Sequence, residues 1–153
     1  MKRTIALATA ALTLVGSAVF ADGHIDNAIK ARQAQMQLYA FSLGTLGGMA
    51  KGQIEYNAEA AQAAADNLAA VTMLHPAAFW PQGSDSASNA NSKAKADMWS
   101  NYGDVQAKGM ALGEAAAGMK AAAGTDLEAL RGAIGPVGAA CQACHKAYRE
   151  SNN

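Results

Sequence analysis

The sequence predicts an all-α fold, a bundle of four helices, on three observations. Residues that favour helices are plentiful, chiefly Ala, Leu, Met, Gln, Lys and Glu, whereas β-branched and aromatic residues are sparse. Apolar residues recur every three or four positions in four separate stretches. Segments rich in Gly, Pro, Asn and Ser separate these stretches and predict the connecting loops.

The composition is that of one globular domain. The chain has 153 residues, of which 51% are hydrophobic and 16% charged, so it can bury a packed core. Its formal net charge is zero. The composition therefore lacks the basic excess that nucleic-acid binding requires, and we expect no nucleic-acid partner.

Residues 1–21 have the pattern of a secretory signal peptide. Lys2 and Arg3 form a positive start, residues 5–15 form a short apolar region, and small residues precede a cleavage site before Asp22. The alternative is an uncleaved membrane anchor, but this apolar region is shorter than a bilayer requires. The sequence therefore predicts an exported chain.

The mature domain predicted by this cleavage comprises residues 22–153. It keeps 10 basic and 12 acidic residues, which gives a net charge of −2. It contains no second long apolar stretch, so we expect a periplasmic protein without a membrane span. An oxidising compartment permits disulfides, so the two cysteines of the chain need an interpretation.

The first two helices are predicted at residues 26–51 and 57–73. Arg32 lies on the apolar stripe of the first helix, where a guanidinium requires an anionic partner. The second helix is rich in alanine and ends before Pro76, because a residue that precedes proline is disfavoured in a helix. The stripe of the first helix consists of Ile25, Ile29, Arg32, Met36, Tyr39, Leu43, Leu46 and Ala50.

A loop is predicted at residues 75–91, followed by a third helix at residues 93–122. Thr125 is predicted to cap the fourth helix, with Glu128 completing a capping box. The stripe of the fourth helix is the most regular in the chain. It consists of Leu127, Leu130, Ile134, Val137, Cys141, Cys144 and Tyr148.

Cys141 and Cys144 are the only cysteines, and His145 follows them directly. One interpretation is a redox dithiol, but such pairs lie at the start of a helix after a strand, where the helix dipole lowers the thiol pKa. A second is a zinc site, which usually has four ligands. Beyond these three residues, the chain offers only His24 and His75 as further histidines and no further cysteine, so a zinc site is less well supported.

The third interpretation is covalent haem attachment, of which Cys-x-x-Cys-His is typical. Cys141, Cys144 and His145 lie three and four positions apart, so a helix presents them on one face. Haem also brings two propionates, and Arg32 would be a bidentate partner for one of them. Alternatively, the side chain of Arg32 bends to the bundle surface and pairs with Asp or Glu.

These motifs resemble those of the class II cytochromes c, the cytochrome c′ family, over essentially the whole mature chain. "ARQAQM" is similar to the family's Arg-Gln-x-x-Met pattern, and "GAACQACHKAYR" is similar to its haem-binding helix. The resemblance implies a left-handed antiparallel four-helix bundle that carries one haem c on its last helix. It implies that His145 ligates the iron, that Arg32 lies near a propionate, that Met36 occupies the distal face and that Arg149 lies near the proximal histidine.

The resemblance leaves two functions open. In the favoured one, Met36 is the second axial ligand and the protein transfers single electrons between periplasmic redox partners. In the alternative, the iron has one protein ligand and binds nitric oxide or carbon monoxide.

Only Gln33 and Gln35 lie beside Met36, so general acid–base catalysis has no candidate residue and we expect no enzyme. Small residues in "LGTLGGMAKG" suggest a homodimer.

Overall fold

The computed structural model describes residues 16–151, with side chains from residue 23 onward. Within this range the chain forms five α-helices and one short 3-10 helix, and it has no β-strand. The predicted all-α fold is confirmed. The elements are α1 (Gly16–Ala50), α2 (Ala58–Thr72), the 3-10 helix (Pro76–Phe79), α3 (Asp97–Ser100), α4 (Tyr102–Ala122) and α5 (Leu127–Tyr148).

The four long helices form the predicted bundle. Contacts join α1 to α2, α2 to α4, α4 to α5 and α5 back to α1. Short links at residues 51–57 and 123–126 make α1 and α2, and likewise α4 and α5, antiparallel neighbours. The most deeply buried side chains of the main core are Leu46, Leu68, Met119, Leu130 and Val137.

The first helix begins earlier than predicted, at Gly16 instead of residue 26, because residues 17–25 contain no proline that would stop it. The predicted signal peptide, residues 1–21, lies largely outside the described residues, and its cleavage stays a prediction. No helix in the described range has both the length and the hydropathy for crossing a bilayer.

The prediction of one continuous third helix is wrong. Asn101 interrupts it with a backbone φ of −117° and ψ of 39°, and the short helix α3 precedes this break. Residues 93–95 are extended because they pair with the chain after α5. The Lys95 amide donates to the Tyr148 carbonyl at 2.9 Å, and the Glu150 amide donates to the Lys93 carbonyl at 2.9 Å.

The cap of α5 lies one residue later than predicted. The Asp126 side chain, not that of Thr125, accepts a hydrogen bond from the Ala129 amide at 2.8 Å. Glu128 is ion-paired with Arg131 at 2.7 Å instead of completing a capping box. α5 then continues through Pro136 to Tyr148, so one helix carries both thiols.

Substitution of the observed cap should destabilise the fold. Asp126→Ala leaves a backbone donor of α5 without its acceptor, and we expect the free energy of unfolding to fall by about 1 kcal/mol. Urea denaturation followed by circular dichroism measures this change. Thr125→Ala is the matched control and should have little effect, whereas the reverse order of effects would contradict the cap assignment.

Candidate functional site

The last turns of α5 bring Cys141, Cys144 and His145 to one face of the helix, as their spacing predicts. Both thiols are free and half-buried, so no disulfide joins them. His145 is more exposed than either cysteine. The helix therefore presents two unpaired thiols and one imidazole from adjacent positions.

Cys144 packs against a second apolar cluster, which we call the C-terminal cluster. Two tryptophans belong to it: the Trp99 indole nitrogen donates to the Trp80 carbonyl at 3.2 Å, and the two rings meet edge to face with centroids 6.3 Å apart. The aromatic pair and the Cys144 side chain therefore pack against the same buried residues of this cluster. The cluster consists of Ala94, Met98, Tyr148, Trp80, Trp99, Val105 and Cys144.

Cys141 lies on the side of α5 that faces α1. Burial raises the pKa of Tyr39, and the nearby Cys141 thiol contributes further to this rise. Met36 precedes Tyr39 by three residues and follows Arg32 by four, so it lies on the same side of α1. Unlike its neighbours on the stripe, Met36 is 39% exposed, and it belongs to neither apolar cluster.

Burial raises the pKa of both thiols, and for Cys144 the nearby Lys108 offsets part of this rise. The thiols are therefore protonated at neutral pH, unlike the low-pKa thiolates of redox dithiols. The pKa of His145 is lowered, first by partial burial and then by the positive charge of Arg149. The imidazole is therefore neutral at neutral pH, which is the form that ligates a metal.

The structure buries Arg32, which is only 4% exposed, so the interpretation that its side chain bends to the surface is wrong. Its hydrogen-bond partners are neutral, whereas the sequence predicted an anionic one. The guanidinium donates to the side chains of Ser84 and Ser92, at 2.7 and 2.6 Å, and to backbone carbonyls of the loop. Asp85 lies close enough to raise the pKa of Arg32, while the larger effect of burial lowers it.

The C-terminal end of α5 is held by a polar contact that the sequence did not predict. The Tyr148 hydroxyl donates to the Asp104 carboxylate on α4 at 2.6 Å, which raises the pKa of Tyr148 to about 12. Lys108 also pairs with Asp104, at 3.2 Å. The contact between Tyr148 and Asp104 joins two helices, so no local sequence pattern indicates it, whereas Lys108 and Asp104 are four residues apart on α4.

A shallow groove between α4 and α5 is lined largely by small residues, among them Ala115, Gly118 and Ala140. Its lining includes neither of the two thiols nor the imidazole. Among the described residues, no group of three or more His, Cys, Asp or Glu side chains could hold a metal ion.

A family model, a related sequence and a solved structure each match this chain. A family model described as Cytochrome C′ matches residues 27–149. Cytochrome c-554 of Cereibacter sphaeroides is 42% identical over 128 residues, which cover 84% of each chain. The structure of cytochrome c′ from Rhodobacter Spheriodes has a TM-score of 0.82 and 35% identity, and the match covers 84% of this chain and 98% of that one.

A second solved structure bears on ligand binding. It is a ferrous variant of cytochrome c′ from Alcaligenes xylosoxidans with bound NO. The chain is 32% identical to it with a TM-score of 0.72, and the match covers 84% of this chain and 97% of that one. The family-model match, residues 27–149, includes both thiols and the histidine of α5.

Proposed function

Because the chain belongs to the cytochrome c′ family, we propose that Cys141 and Cys144 attach its haem c through thioether bonds and that His145 ligates the iron. Covalently attached haem c is the cofactor of this family. The observation that carries the proposal is the arrangement of two free thiols and a neutral imidazole on one helical face.

The residues around these three side chains fit a porphyrin. When bound, haem iron supplies a one-electron redox change and a coordination position for a diatomic gas. Trp99 belongs to the same apolar cluster as Cys144, and Tyr39 lies near Cys141, so each thiol has an aromatic residue in its surroundings. Both thiols are half-buried, and neither belongs to the main core.

Within the family we favour the gas-binding alternative over the ligation of iron by Met36. Relatives that match more than four fifths of this chain are named cytochrome c′. The relative with bound NO supports the same assignment. We therefore propose a five-coordinate iron that binds nitric oxide or carbon monoxide.

One-electron transfer with Met36 as second axial ligand is the second candidate. It is motivated by the position of Met36 on the side of α1 that also carries Tyr39, whose ring lies near Cys141. A thioether ligand would raise the reduction potential and restrict gas binding. The two candidates therefore differ in how the reduced protein responds to carbon monoxide. Neither assigns a catalytic residue, and we propose no enzymatic activity.

The attachment can be tested by mass spectrometry of protein exported from a host that matures c-type cytochromes. The wild-type chain should carry the mass of one porphyrin through denaturation. Cys141→Ala and Cys144→Ala should each weaken the attachment, and the double variant should abolish it because no thiol is left to form a thioether. His24→Ala, a histidine outside the attachment turn, is the control; a wild-type chain without added porphyrin mass would refute the proposal.

The role of Met36 can be tested with the absorption spectrum of the reduced protein before and after addition of carbon monoxide. We expect the wild-type spectrum to be high-spin and to change on addition of the gas. Met36→Ala should bind the gas about tenfold faster if the side chain contributes about 1.4 kcal/mol to the barrier.

Met73→Ala is the control for this measurement, because Met73 is 82% exposed and lies at the end of α2. It should leave the rate unchanged. A low-spin wild-type spectrum with little response to the gas, together with a gain of response in Met36→Ala, would contradict five-coordinate iron and favour electron transfer with Met36 as ligand.

The signal sequence supports a periplasmic location for the mature chain, with periplasmic redox proteins as its electron partners. Detection of residues 22–153 without residues 1–21 in a periplasmic extract would establish both the cleavage site and the location. Full-length chain in the cytoplasm of a cytochrome-competent host would contradict the proposal.

We also propose that the exposed face of α1 forms a homodimer contact. Leu38 and Phe41 are 51% and 73% exposed there, and Gly44, three residues further on, has open space around it. Burying such side chains favours association. Light scattering should give a dimer for the wild type and a monomer for Phe41→Glu, whereas a wild-type monomer would remove the proposal.

A further inference from the structure

Nearly all N–H donors of the Arg32 guanidinium form hydrogen bonds to one loop. Nη1 donates to the Phe79 carbonyl at 3.4 Å and to the Ser84 hydroxyl at 2.7 Å, while Nη2 donates to the Ser84 carbonyl at 2.5 Å and to the Ser92 hydroxyl at 2.6 Å. A guanidinium has five N–H donors, and these four bonds occupy the four on its terminal nitrogens. A bidentate bond to a carboxylate through those nitrogens would require the loop to be released.

The acceptors of these bonds are themselves part of a satisfied network. Ser84 is 0% exposed and donates its hydroxyl hydrogen to the Pro81 carbonyl at 2.7 Å. Ser92 is 3% exposed, and its hydroxyl oxygen also accepts from the Ala94 amide at 3.1 Å. Moving the guanidinium away would break its hydrogen bonds to buried oxygen atoms of Ser84 and Ser92, which costs free energy. The network therefore favours the observed position of Arg32.

The same guanidinium also lies over an aromatic ring. Its central carbon is 4.6 Å from the centroid of the Trp80 ring, within the range of a cation–π contact. Trp80 in turn contacts Trp99, and both rings belong to the C-terminal cluster, as does Cys144. Arg32 is therefore linked to the C-terminal cluster, which includes Cys144, through the loop and the edge-to-face pair of tryptophans.

We propose that Arg32 is a positioning residue that fastens the loop of residues 79–92 to α1 and thereby holds Trp80 and Trp99 as a dry wall beside Cys144. The proposal goes beyond gas binding, because such a wall controls water access and hence the reduction potential of the group attached there. It rests on haem attachment at Cys144. It differs from the sequence-based expectation, in which Arg32 neutralises a propionate directly.

Two substitutions that keep the charge of the chain test the proposal in the haem-loaded protein. Arg32→Lys retains the positive charge but loses the planar fork of donors, and Ser92→Ala removes one acceptor. Arg131→Lys and Ser88→Ala are the matched controls. Arg131 is an exposed arginine on α5, and Ser88 lies in the same loop but donates to Asp85.

Hydrogen–deuterium exchange of the amides in residues 84–92 measures how firmly Arg32 holds the loop to α1. This measurement does not depend on gas binding. We expect Arg32→Lys and Ser92→Ala to speed this exchange by about tenfold or more, the effect of losing a hydrogen bond to a charged group. The reduction potential should also move to lower values in both variants, because water beside the attachment turn favours the more highly charged oxidised iron. Both controls should leave the exchange and the potential unchanged.

Two results would overturn the proposal. Faster exchange with an unchanged potential would mean that Arg32 only stabilises the loop. A lower potential in Arg32→Gln, without any shift in Arg32→Lys or Ser92→Ala, would mean that its charge acts directly on the cofactor.

Trp80→Leu provides a further test if substitutions in the buried network prevent folding. It removes the ring from the wall and leaves the bonds between Arg32 and the serines in place. We expect a lower reduction potential with nearly unchanged exchange in residues 84–92. An unchanged potential in this variant would refute the wall, whereas a missing porphyrin mass would refute the attachment instead.

Discussion

The structure of the site depends on one constraint, which is that α5 stays helical and fixed up to its last turn. Cys141, Cys144 and His145 share a face only while the helix holds its period of 3.6 residues. Buried Leu130 and Val137 hold the first part of α5 in the main core. The thiols lie beyond these anchors, so the end of the helix needs its own support.

That support comes from the chain segment that precedes α3. Residues 93–95 run beside the end of α5 and exchange backbone hydrogen bonds with Tyr148 and Glu150. The Ser86 hydroxyl bonds to the Glu150 carboxylate at 2.9 Å, and the Tyr148 hydroxyl bonds to Asp104 on α4. Helix ends ordinarily fray because their last carbonyl groups lack partners. Here the end of α5 is tied to two other parts of the chain, and these bonds support the turn that carries Cys144 and His145.

The long loop between α2 and α3 therefore has two structural roles. Its later part supports the end of α5, and its earlier part carries Trp80 against Trp99. Both depend on the anchoring of the loop to α1, where Gln33 also donates to the Asn91 carbonyl at 2.8 Å. Loops commonly carry the groups that distinguish one member of a fold from another. We propose that in this chain the loop also shapes the surroundings of Cys144.

The sequence alone determined the helices, their buried stripes and the common face of the two thiols and the histidine. All three follow from local periodicity, because residues three and four apart meet on a helix whatever the rest of the chain does. Only the tertiary structure decided the partners of Arg32, which lie 52 and 60 positions away at Ser84 and Ser92, and the pairing that interrupts the third helix. These features depend on the path of a loop without periodic order, and a local sequence pattern does not specify that path.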